Sequence, residues 1–428
     1  MRTSVRPSNR HGSSRLAGRN PTHRRRRVAP TTVIVGAGIA GLTIAERLIE
    51  SGMAPSDILL LEKYDYVGGR IVSHRDGYEI GAGRIHESHR HMAALIERFG
   101  LTRIPIGDAI SWMPMGSTEP IPNHFEADMR SLLRHLPRPD GTTTLRNHLA
   151  HSIPPADLHE LLEHFPYRAE TEVLRADLAL HAFRPHSEMG THAGYFVIKE
   201  GLSAIVRGLR DQLTAAGVRI ALNTEVVRVE PDGALYVRGR QRPMRPGRTV
   251  LALHATALQR ILPSSIKRQI HRFIRMEPLT RIYAAYPPDH PWTRGLFATG
   301  SIVSDSPLRY VIPVNPATGI VMISYTEGRD TRHWHGLKGP ALQAAIQKEA
   351  RRLWPDADVP EPLWVRPYEW ADGCTYWRPG RYDPAAVSAA LQHPFPTVWV
   401  AGESLSVGRQ AWIEGALEVA HAVASGLH

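Results

Sequence analysis

Three glycines and a glutamate are the first residues in this chain whose spacing could do chemistry. Gly36, Gly38 and Gly41 form G-x-G-x-x-G, and Glu62 follows Gly41 by 21 residues. In such a pattern the first glycine permits a tight turn and the second lets backbone approach a pyrophosphate. The third lets a helix pack on a strand. An acid at the later position accepts hydrogen bonds from ribose hydroxyls. The predicted chemistry is the holding of a dinucleotide by backbone N–H groups and a helix dipole. NAD and FAD both use such a unit. Six residues beyond Glu62, Gly68-Gly69-Arg70 adds a second glycine pair and a planar cationic donor, able to close on the same pyrophosphate.

The elements that must position these residues are legible around them. Residues 31–35 (TTVIV) read as a short, buried parallel strand. Ile44, Ala45, Leu48 and Ile49 recur at helical spacing after the glycines, and Ile58-Leu59-Leu60-Leu61 predicts a second buried strand ending at Glu62. At the far end, residues 397–403 (TVWVAGE) predict a strand running into a turn, and Trp412-Ile413-Glu414-Gly415-Ala416 opens a helix ending near Leu427.

Together these segments resemble the flavin-containing amine oxidases, the superfamily that includes monoamine and polyamine oxidases. The paired glycines after the ribose acid imply FAD, and the resemblance extends through three further segments. Residues 78–84 (YEIGAGR) resemble the glycine-rich stretch along the flavin ring, which assigns Gly83 and Arg84 to the cofactor. Residues 199–205 (KEGLSAI) resemble a helix entry, with Glu200 in place of a glycine. Residues 223–229 (NTEVVRV) resemble the strand whose valine, here Val226, pairs with adenine. The terminal motif implies that Gly402 and Glu403 meet the pyrophosphate and ribityl chain, with Gly415 also suited to close approach. It implies that the helix start at Ile413 faces the flavin pyrimidine.

The fold so implied is α/β, a Rossmann-like FAD-binding domain of residues 31–86, 195–275 and 367–428. A mixed α+β substrate domain is inserted as residues 87–194 and 276–366. The resemblance also marks three catalytic candidates. Arg281 falls where relatives carry a lysine that holds a water at the flavin. Trp412 would form one wall of an aromatic cage, and Tyr376 the other, one place late because Thr375 stands where the family has tyrosine. Cys374 matches the cysteine that bonds covalently to flavin in monoamine oxidases, although non-covalent FAD is the expectation here.

The resemblance implies hydride transfer from an amine C–N carbon to flavin N5 in a small-molecule substrate. Arg281 and the displaced tyrosine keep open a desaturase, dehydrogenase or isomerase acting on a non-amine. A flavin-binding protein without turnover is the remaining alternative. No metal is expected, because His86, His89, His91, His181, His186 and His192 match no zinc spacing. With one cysteine there is no disulfide framework.

The net charge of +11 suggests a nucleic-acid partner until its distribution is examined. Nine arginines and no acid lie in residues 1–30, which leaves +2 for the rest of the chain. That arm reads as a disordered basic tail or a transit peptide, so the expectation is a mitochondrial or plastid address, or otherwise a cytoplasmic one. No apolar run is long enough to span a membrane. A soluble protein, without a specific nucleic-acid partner and able to form a homodimer, is expected.

Overall fold

A computed structural model describes residues 31–107, 109–183 and 194–427. The basic arm, and with it the targeting expectation, lies outside the described residues, as do His186 and His192.

Five short apolar strands form a parallel sheet. Its order is Arg219–Ala221, Ile58–Leu61, Thr32–Val35, Arg248–Ala252 and Val398–Ala401. Val33 stands opposite Leu59 on one side and Thr249 on the other. Every residue of Thr32–Val35 is buried, as a strand covered on both faces requires. Helix Ile39–Glu50 packs against Ile413–Ser425 and Ser203–Ala216. The chain moves outward in one direction from Thr32–Val35 through Ile58–Leu61, then returns to its other side at Arg248–Ala252. A crevice at the carboxyl ends of those strands is where such sheets bind ligands.

A second, mixed sheet of seven strands holds Trp364–Trp377, Ile274–Ala285, Ile320–Glu327, Tyr310–Asn315, Ser301–Val303, Ile110–Trp112 and Ile121–Pro122, in that order. Side chains alternate across it. Ile282, Ala284, Val321 and Ile323 face outward to a core with Leu342 and Ile346 of helix Gly339–Leu353. Tyr283, Ala285, Met322 and Tyr325 face the core shared with the parallel sheet. All five parallel strands come from residues 31–86, 195–275 and 367–428. Trp364–Trp377 crosses the boundary set at residue 367 and pairs along Ile274–Ala285 in the mixed sheet. Among the described residues no helix is long and apolar enough to cross a membrane.

Two buried carboxylates fasten the layers. Glu414, one residue past the start of its helix, accepts the N–H groups of His91 (2.8 Å) and Met92 (3.0 Å) and so caps helix Arg90–Arg98. Glu79 accepts the Leu202 N–H at 2.7 Å, just before helix Ser203–Ala216.

Candidate active site

The first glycine turn distinguishes packing from cradle. Gly36 sits at φ +100°, and a Cβ there would lie 2.4 Å from the Ala252 carbonyl oxygen. A Cβ on Gly41 would lie 2.0 Å from the Gly36 oxygen. Those two glycines are demanded by the chain's own close approach. Gly38 is different, since its nearest neighbour would be the Gly68 oxygen at 4.0 Å. Gly69, at φ +60°, faces Gly38 with similar room, 3.6 Å from the Gly38 Cα. Protein packing does not explain Gly38, whereas a phosphate lying against bare backbone does.

Glu62 closes one end of this cleft. Its carboxylate accepts the Ala37 N–H at 2.8 Å and the Tyr64 N–H at 3.0 Å, which fixes its position and leaves acceptor capacity unused. Val226 lies on the same side, where Thr224 N–H donates to the Glu62 carbonyl at 2.7 Å. At the other end Arg70 pairs with Glu403 at 2.5 Å and donates to the Gly373 carbonyl at 2.9 Å. Burial works against both charges, yet the Arg70 guanidinium holds the Glu403 carboxyl below the usual range. Gly402, at φ +136°, adopts backbone that disfavours other residues, with a would-be Cβ 3.0 Å from the Leu253 oxygen. Gly415 is also crowded by protein, 2.1 Å from the Arg409 oxygen, so its lack of a side chain serves helix packing.

Glu403 links the cleft to a cluster of aromatic side chains. Its other oxygen accepts the Ala411 N–H at 3.0 Å, and the next residue, Trp412, caps helix Ile413–Ser425 without a side-chain hydrogen bond. Trp412 stacks on Tyr195, centroids 5.9 Å apart. The Arg84 guanidinium lies 5.2 Å from the Tyr195 ring and 5.4 Å from that of Tyr167, whose hydroxyl it also bonds. Tyr310 and Tyr325 complete the surround, each edge-on to Tyr167. Arg84 lies deep in the protein but keeps some accessible surface. Among the described residues no Asp or Glu lies within ion-pair distance of it.

Arg281 approaches the same tyrosines. Its guanidinium stands 5.3 Å from the Tyr325 ring and donates to the Glu79 carbonyl at 3.2 Å. A Cβ on Gly83 would lie 2.8 Å from it, so glycine there admits the arginine. Tyr376 is buried with its hydroxyl 3.3 Å from Glu327, and the ring that stacks on Trp412 is Tyr195. Glu327 also accepts the Ala169 N–H at 2.8 Å, and burial pushes its carboxyl up to about 8. Cys374 is buried beside Arg70, Glu327 and Glu403. Desolvation first, and the two carboxylates second, raise its thiol well above the ordinary value. Among the described residues no cluster of three His, Cys, Asp or Glu could hold a metal.

The sequence reading missed Tyr167, Tyr195, Tyr310, Tyr325 and Glu327. A weak signal existed in Tyr325 and Glu327, which alternate onto one face of a strand. Nothing local marks the other three.

The glycine-bordered cleft of the parallel sheet thus adjoins a cluster of tyrosines gathered around Arg84. The chain belongs to the flavin containing amine oxidoreductase family, which it matches over residues 39–428. The cofactor that this family implies is a flavin. Cyclohexylamine oxidase from Brevibacterium oxydans IH-35A shares the fold, with a TM-score of 0.73 and 19% identity over 94% of this chain and 100% of that one. Among curated relatives, the flavin-dependent L-tryptophan oxidase RebO of Lentzea aerocolonigenes is 41% identical over 76 residues, 16% of this chain and 15% of that protein. Farnesylcysteine lyase of Arabidopsis thaliana is 36% identical over 86 residues, 18% of this chain and 17% of that one. The chain thus spans less than a fifth of the length of the curated relatives it matches.

Proposed function

We propose that this protein is an FAD-dependent oxidoreductase that oxidises the C–N bond of a small amine bearing a carboxylate, an amino acid in its simplest form. The observation that carries this reading is Arg84. An arginine stays protonated, and an unpaired charge held deep in protein is costly. Aromatic faces and the hydroxyls of Tyr167 and Tyr310 offset that cost only in part. A substrate carboxylate would complete the site through a bidentate pair.

The residues then divide the work. Gly38, Gly69, Glu62, Arg70 and Val226 would hold the dinucleotide, and Gly402, Glu403 and the helix start at Ile413 would line it. When bound, the flavin supplies the two-electron acceptor for the amine carbon. Arg84 fixes the substrate's orientation, while Trp412 and the tyrosines exclude water. L-tryptophan oxidase activity in a relative's name agrees with a carboxylate-bearing amine.

Anaerobic titration of the yellow protein tests the proposal. Amino acids should bleach the flavin, and the matching amines without a carboxylate should do so at least tenfold less efficiently. In Arg84→Met that preference should vanish, because a charged hydrogen-bonded pair worth about 2–3 kcal/mol is lost. Faster bleaching by the simple amines would overturn the carboxylate, and no bleaching by any amine would overturn the reaction. Arg281, a fixed guanidinium in place of a compact ammonium, favours a second reading of the oxidative half alone, in which the electron acceptor is not oxygen. Air re-oxidation of the bleached protein decides that point.

A further inference from the structure

Residues 238–248 (RGRQRPMRPGR) carry five arginines and no acid, more positive charge than the +2 left for the whole chain beyond residue 30. The loop follows the strand Leu235–Val237 and is held to it by backbone. Arg238 N–H donates to the Glu225 carbonyl at 2.8 Å, and Arg240 N–H to that of Val237 at 3.1 Å. Leu235 and Met244 exchange both backbone hydrogen bonds at 2.9 Å, which turns the main chain back along the strand. The arginines are left in solvent. Arg238, Arg240, Arg242 and Arg245 are exposed, and Arg248 is half-buried. Arg238 pairs with Glu225 and Arg245 with Asp232, both at 2.5 Å, and surface pairs of this kind hold their partners weakly. Among the described residues no acid lies within ion-pair distance of Arg240, Arg242 or Arg248.

The loop ends where the basic arm begins. The Thr31 carbonyl accepts the Arg248 N–H at 2.8 Å, and Thr32 stands opposite Arg248 as the two strands start. Residues 1–30, with their nine arginines, therefore join the fold beside the last arginine of the loop. Like charges brought together without counter-charges repel, and a polyanion relieves that repulsion. The junction lies at the amino ends of Thr32–Val35 and Arg248–Ala252, whereas Gly38 follows the carboxyl end of Thr32–Val35. It stands apart from the cofactor cleft.

We infer that residues 238–248, continuous with the arm at Thr31, form a surface for the sugar–phosphate backbone of nucleic acid, bound without regard to sequence. Residue type selects this partner. Neither segment contains a lysine, and arginine's planar fork pairs with phosphate oxygens while its flat face stacks on bases. A lipid surface takes basic segments that also carry apolar side chains into the acyl boundary. The exposed residues of this loop are arginine, glycine and glutamine alone.

The test uses the full-length holoprotein and a short fluorescein-labelled DNA duplex, followed by anisotropy over a range of salt concentrations. The parent should bind duplexes of scrambled sequence equally and weaken steeply as salt rises. The double variant Arg240→Gln, Arg242→Gln should lose roughly ten- to a hundredfold in affinity. Its slope of log affinity against log salt should be shallower by about 2, because each phosphate contact contributes about 0.9. Arg240→Lys with Arg242→Lys should keep the parental slope, and both variants should keep their flavin, since neither residue borders the cleft. Parental affinity and slope in the glutamine variant would overturn the inference. The same loss in the lysine variant would overturn it too, because charge would not be the cause. A parent that binds no DNA would refute it outright, and binding to phosphatidylserine vesicles in place of DNA would make the partner a membrane instead.

Discussion

Replacing Glu327 by glutamine tests whether the inner face of the mixed sheet keeps a carboxylic acid neutral. Glu327 is 2% exposed, and burial is the largest influence on its proton affinity. Hydrogen bonds from Ala169 and Tyr376 pull the other way, while the charges of Glu277 and Asp330 add to the rise. The outcome is a carboxyl moved from 4.5 up to about 8. Below pH 4.5 both folded and unfolded chains carry the proton, and the full stability is present. Between pH 4.5 and 8 only the folded chain carries it, so stability falls as pH rises, levelling off above 8. Each pH unit in that window is worth about 1.4 kcal/mol, so about 3 kcal/mol is lost between pH 4.5 and 7. Glutamine is neutral throughout and can still accept the Ala169 N–H. Urea unfolding of the holoprotein, at fixed excess flavin and at pH 5 and 7.5, measures the difference. The parent should lose about 3 kcal/mol more than Glu327→Gln across that interval. Equal pH dependence in the two proteins would refute the reasoning.

Two other substitutions examine the cofactor cleft. Gly38→Val should fold, because a Cβ at that position meets no protein atom closer than the Gly68 oxygen at 4.0 Å, and yet should lose flavin by well over tenfold. Full flavin content in that variant, measured from the visible spectrum, would place the phosphate elsewhere. Acid denaturation should release all flavin from the parent and from Cys374→Ser alike, since burial keeps the thiol protonated and a thiolate is the nucleophile. Flavin left on the parent polypeptide, and absent from that of the serine variant, would show a covalent link.

The sequence by itself determined the cradle. Strand, glycine turn, helix and second strand are contiguous, and each is specified by local requirements. A buried strand needs an apolar run, Gly36 needs positive φ, and Gly41 needs room for the crossing of its helix over the turn. The closing segment was legible for the same reason, because Gly402 announces an extended backbone that other residues avoid.

Only the tertiary structure decided the aromatic cluster beyond it. Arg84 reads in sequence as another cofactor residue after a glycine-rich run, and four tyrosines from 167 to 325 surround its guanidinium, which has no carboxylate partner among the described residues. Nor does local sequence show that Glu414, inside a motif that looks functional, spends both oxygens capping a helix 322 and 323 positions earlier in the chain. Spacing along a chain fixes backbone conformation over a few residues. Which charge goes unanswered depends on what the inserted sheet brings alongside, and that is set by packing between segments hundreds of residues apart.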